Sequence, residues 1–80
     1  MTGTSSNLHL LAAGTKARVK AYAVEDAYCA QLMRMGLVPG TEFTVMRQAP
    51  LGDPIEISLR GFSLALRPSE AQALEIEVLP

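Results

Sequence analysis

His9 and Cys29 are the only imidazole and the only thiol in this 80-residue sequence. A thiol–imidazole couple works only when the two side chains meet and a third group orients the base. Twenty residues separate the two, and no orienting residue is evident. The chain therefore reads as a non-enzyme, with no catalytic residue assigned. Borderline and soft metal sites want clustered Cys and His. Here the carboxylates are scattered, and Glu75 and Glu77 merely share one face of an alternating stretch. No resident cofactor or single-chain metal site is expected, which leaves room only for weak divalent cation binding or a surface site shared between chains. Gly52-Asp53-Pro54 lacks the lysine and the following helix of a phosphate loop. It reads as a stiff hairpin connection with Leu51 at its tip, and a proline-stiffened loop loses little entropy on docking.

Lys16, Arg18 and Lys20 line one face of an alternating segment. A nucleic-acid surface would want aromatic residues between them or a basic surround. Ala17 and Val19 intervene, and the whole chain carries a net charge of −1. The expectation is that Glu75 and Glu77 pair with this stripe across neighbouring strands. An acidic protein partner is the next reading.

The segment Ala27–Met35 is the richest in contact-forming side chains. Asp26 is placed to cap a helix there, and Gly36 to end it. Tyr28, Leu32 and Met35 recur at spacings of four and three, which predicts the stripe facing the core. Cys29 and Met33 then lie roughly 100–140° around the helix from that stripe. Only Gln31 and Arg34 are strongly polar, and Leu37 and Val38 follow at once. Such a helix is either sunk in a small core or docks a second protein through its Met33–Leu37 flank. The surplus of apolar residues favours docking, because methionines suit adaptable surfaces. The predicted partner-binding residues are Leu32, Met33, Arg34 and Leu37, with Leu51 as a second edge. Leu32 lies between core and flank.

The elements that position these residues follow from period and turn chemistry. Residues 1–7 are small and polar and read as a flexible tail, leaving one domain over 8–80. Alternation predicts strands over Lys16–Ala21, Thr41–Gln48, Ile55–Arg60, Phe62–Arg67 and Leu74–Val78. Phe62, Leu64 and Leu66 form the inward row of the fourth. Pro39-Gly40 suits a type II turn, and Gly61 a tight reversal. Pro68 opens a short helical turn before the last strand. About five short strands with one added helix predict a mainly β protein, a small barrel whose closure removes free sheet edges. Leu, Ile, Val and Phe make up 21 of the 80 residues, enough to form a core. One cysteine excludes an internal disulfide framework. No apolar run is long enough to span a bilayer, and the start lacks a secretory pattern. A soluble intracellular protein is expected. Its sticky helix and edge-strand surfaces also suit self-association.

Three ordered motifs resemble the ferrous iron transport protein A family, FeoA. Leu32-Met-Arg-Met-Gly-Leu-Val-Pro-Gly40 is similar to its L-x-x-(L/M)-G-(hydrophobic)-x-P-G stretch. Ala49-Pro-Leu-Gly-Asp-Pro54 matches its A-P-L-G-D-P loop, and Gly61-Phe-Ser-Leu-Ala-Leu-Arg67 its G-(aromatic)-x-L-x-L-R arm. The resemblance covers about residues 8–78. It implies an SH3-like β-barrel and a cytoplasmic accessory of FeoB, the membrane ferrous iron transporter with a cytoplasmic GTPase domain. It implies protein–protein interaction rather than nucleic-acid binding or membrane insertion. The SH3-like domains of iron-dependent repressors look similar, so a metal-sensing regulatory domain is the alternative. With its own Met1 and no helix-turn-helix, the chain fits a free-standing accessory better.

Overall fold

Leucine, isoleucine and valine at every second position leave one face of each strand apolar, and those faces must be buried together. The computed structural model, which describes residues 4–5, 11–50, 54–68 and 70–80, shows how. In chain order the elements are β1 (Thr4–Ser5), β2 (Lys16–Tyr22), α1 (Ala27–Arg34), β3 (Glu42–Gln48), β4 (Ile55–Leu59), β5 (Phe62–Leu66) and β6 (Leu74–Val78). All strand pairs are antiparallel, in the order β1-β6-β2-β3-β4-β5. Two of the seven residues read as a tail thus take part in the sheet, where Thr4 and Ser5 pair with Glu77 and Ile76.

The sheet curls around a core of Ala17, Val19, Phe43, Val45, Ile55, Ile57, Leu59, Leu66, Leu74 and Ile76. The three principal extents, 28 × 26 × 25 Å, are nearly equal, as a coiled rather than flat sheet requires. Two bulges assist the curling by adding twist. Lys20 is the extra residue in β2, where the register to β6 shifts between Val19 and Ala21. Met46 is the extra residue in β3, and it stands exposed. The β2 bulge also resets the alternation, so that Tyr22 packs against the core.

Full closure of the barrel is not achieved among the described residues: β5 remains an end strand of the sheet. One side chain of α1 reaches the end of that strand. The Arg67 N–H just after β5 donates to the Tyr28 hydroxyl on α1 at 2.9 Å. Phe62, read as part of an inward row, is exposed at the start of β5, as is Val78 at the end of β6.

Of the cross-strand pairs expected for the basic stripe, the one between Arg18 and Glu77 forms. Arg18 stands opposite Glu77, and its guanidinium donates to Glu77 Oε1 and Glu42 Oε2 at 3.3 Å each. One side chain thereby ties β6, β2 and β3 together. Exposed pairs of this kind contribute little individually, so their main effect is to fix register. Glu75 stands opposite Ala21, displaced by the bulge.

The β4–β5 hairpin carries a local conflict. Its two turn residues, Arg60 and Gly61, have φ of 50° and 87°. A two-residue turn of this hand suits Asn-Gly, and the Cβ of any other L-residue crowds the following carbonyl there. Replacing Arg60 with Asn is expected to stabilise the protein by about 0.5–1 kcal/mol. A chemical-denaturation midpoint that does not rise would show that the turn carries no such strain.

Candidate functional site

The helix and the turn that leaves it form one rigid unit. Asp26 is the N-cap, accepting the Cys29 N–H at 2.9 Å. That bond holds the Asp26 carboxyl below its ordinary range, its cause being the backbone amide of Cys29 and then the thiol. Cys29 is buried, and burial followed by the neighbouring Asp26 carboxylate pushes its thiol up. A thiol pushed up by burial and a carboxylate is a poor nucleophile. His9, its only conceivable imidazole partner, lies outside the described residues. Among the described residues no group of three or more His, Cys, Asp or Glu is placed to hold a metal ion.

At the other end, Met35 is the C-cap and Gly36 takes φ of 106°. The Gly36 N–H donates to Met33 O and the Leu37 N–H to Leu32 O, both at 3.0 Å. This is the Schellman arrangement, in which the residue two beyond the cap packs on the residue three before it. Here those residues are Leu37 and Leu32. Both are buried, at 0% and 2% exposure. Leu37 is therefore a core residue, which corrects its reading as an exposed contact. The chain then reverses around Pro39-Gly40, where the Thr41 N–H donates to Val38 O at 2.9 Å. The buried Thr41 hydroxyl donates to Gly36 O at 3.0 Å, and the Tyr22 hydroxyl to Leu37 O at 2.6 Å. The bond from Tyr22 ties the turn to β2, and the others fix its shape.

The inward face of α1 is consequently Cys29 and Leu32, with Tyr28 half-buried beside them. Met35, assigned to that stripe from its spacing, is 41% exposed. It sits where the helix has already ended, so the periodicity no longer applies to it. Val38, at 37%, is exposed on the same turn. Of the predicted contact residues, Met33 is half-buried, Arg34 is exposed, and Leu51 lies outside the described residues. The apolar side chains offered to solvent here are thus Met35 and Val38, flanked by Met33 and Arg34. Sequence reasoning missed the first two. The signal that could have found them is Gly36 itself, which fixes the residue before it as a cap.

Comparison with known proteins identifies the lineage. The family model of the FeoA domain matches residues 6–78. The chain belongs to the FeoA family. A FeoA-like protein from Clostridium acetobutylicum is 40% identical in sequence and superposes with a TM-score of 0.83, covering 100% of this chain and 92% of that one. Stenotrophomonas maltophilia FeoA, solved in complex with zinc, is 29% identical with a TM-score of 0.70, over 90% of this chain and 87% of that one. It is described as a prokaryotic SH3-domain protein and a candidate ferrous iron transport activating factor. The curled sheet with its added helix is accordingly the SH3-like fold of FeoA domains. IdeR from T. acidophilum shares the fold alone, at 20% identity and a TM-score of 0.76, with the match covering 99% of this chain and 36% of IdeR. No helix among the described residues of this FeoA domain is long and apolar enough to cross a membrane.

The phenol that locks the turn makes a pH prediction. Burial, then the nearby Cys29 and Tyr28, push the Tyr22 hydroxyl up to about 12 from its ordinary 10. The unfolded chain loses this proton first, so the folded state gains stability from the neutral phenol. That contribution is whole below pH 10 and is lost as the pH rises from 10 to about 12. Tyr22→Phe is expected to cost about 0.5–1.5 kcal/mol at neutral pH through the lost hydrogen bond. The gap between wild type and variant should narrow across that alkaline window. Denaturation curves that keep a constant gap up to pH 12 would show that the phenol is not held neutral by the fold.

Proposed function

We propose that this FeoA domain is a non-enzymatic, cytoplasmic interaction module of ferrous iron uptake, with the cytoplasmic region of a FeoB-type transporter as its partner. Membership of the family and the role named for the Stenotrophomonas maltophilia relative support the pathway. The observation that carries the interaction reading is the rigid turn after α1, which presents Met35 and Val38 to solvent while burying Leu32 and Leu37. Apolar side chains held on a preorganised turn lose little entropy on docking. The contact surface assigned is Met35 and Val38, with Met33 and Arg34 beside them. Leu32 and Leu37 support it from beneath.

The deciding experiment is capture of the transporter's purified cytoplasmic domain by the immobilised chain, run beside an anaerobic Fe(II) titration. Saturable capture supports the adaptor. A stoichiometric Fe(II) site of micromolar affinity with no capture would replace it with a metal-sensing domain.

A further inference from the structure

The β5 edge is a second surface, distinct from the turn after α1. Leu59 and Phe62 enclose the two-residue turn, which makes them a hydrogen-bonded pair of the ladder. By alternation Leu64 and Leu66 also aim their N–H and C=O groups at β4. Ser63 and Ala65 aim theirs the opposite way, out of the sheet. Arg67 shares that phase, and its N–H is indeed found on the far side from β4, on the Tyr28 hydroxyl. Among the described residues, no backbone group takes the outward dipoles of Ser63 and Ala65. Both residues are exposed.

Charge selects the occupant. Arg60 and Arg67 bracket β5, roughly 20 Å apart for an extended chain of that length. Both are exposed, and neither guanidinium is in an ion pair among the described residues. No carboxylate lies on β5, and the nearest across the ladder, Glu56, is paired with Arg47 at 3.5 Å. A second copy of this chain laid antiparallel on the same edge would set Arg60 of one copy beside Arg67 of the other, at both ends. Like charges so placed oppose edge-to-edge pairing. Arg60 also occupies the strained left-handed position where the turn itself would favour Asn. A long cationic side chain standing at a strained backbone position points to a use for that side chain.

We propose that the outer edge of β5 receives an extended acidic segment of a partner protein as an added strand. Main-chain bonds to Ser63 and Ala65 supply the pairing, and Arg60 and Arg67 read carboxylates near its two ends.

The test uses the whole chain alone, so its outcome is independent of transporter capture. The probe is a capped synthetic peptide of about nine residues, alternating Thr and Val, with Glu at each end. A matched peptide carries Lys in place of Glu. Amide spectra of labelled protein are followed during titration, together with hydrogen exchange. The Glu peptide is expected to shift and protect the Ser63 and Ala65 amides, and the Lys peptide to bind about tenfold more weakly or less. The R60E/R67E double variant should invert that preference. Ala65→Pro removes one outward donor at an edge position that tolerates proline, and should abolish binding with the fold retained. If that variant fails to fold, the charge inversion still decides. Equal binding of the two peptides, no protection at Ser63 and Ala65, or protection that grows with protein concentration in the absence of peptide would each overturn the proposal.

Discussion

Leu37→Ala is expected to destabilise the protein by about 2–5 kcal/mol, the range for emptying a well-packed leucine site. Small domains hold only about 5–15 kcal/mol in total, so this removes a large share and should lower the thermal midpoint by more than about 10 °C. The magnitude follows from position. Leu37 is fully buried and closes the Schellman end of α1 against Leu32, and its carbonyl accepts the Tyr22 hydroxyl. A side chain on a turn would ordinarily be free to relax into the space left. Here the hydrogen bonds on either side hold the backbone, so the cavity stays open. Leu37→Asp would place an uncompensated charge in that site and is expected to prevent folding. Thermal melts followed by circular dichroism measure both. A loss below about 1 kcal/mol for the alanine variant would return Leu37 to the surface and undo the account of the turn.

The same residue shows where the sequence was readable and where it was not. Period-two alternation is a local property, and it located β2 through β6 because each strand buries one face against the next. The Asp26 cap, the Gly36 terminus and the Pro39-Gly40 turn were legible for a similar reason, since each depends on the chemistry of one or two residues. The pairing of Arg18 with Glu77 needed only the adjacency of first and last long strands. What escaped was phase after an interruption. The bulges at Lys20 and Met46 add one residue each, and nothing in those side chains announces it. Helical spacing carried Met35 onto the core stripe, although the helix stops at Arg34. Loop position carried Leu37 onto the surface, although the glycine before it turns the chain back over the helix. Closure of the barrel was overestimated because the sequence does not say that a side chain, Tyr28, rather than a strand takes the Arg67 N–H at the end of β5. Leu51 and His9 lie outside the described residues.

Substitution of Met35 should therefore separate binding from folding, as no substitution of Leu37 can. Met35 is 41% exposed and has no role in the core. Burying such a side chain against a partner contributes about 1.5–3 kcal/mol, and about 1.4 kcal/mol is tenfold in affinity. Met35→Asp combined with Val38→Asp is thus expected to weaken capture of the transporter's cytoplasmic domain at least tenfold. A carboxylate at the end of α1 also opposes the helix dipole, at about 0.3–1 kcal/mol, so a small fall in stability is expected for that variant. Met35→Lys supplies the control. Its charge suits the same helix end, and it should melt like wild type while still losing affinity, because either charge must be desolvated against an apolar site. Loss of binding in both charge senses identifies an apolar contact. Loss with Asp alone would identify repulsion by an acidic partner, and undiminished capture by both variants would move the interface away from the turn after α1.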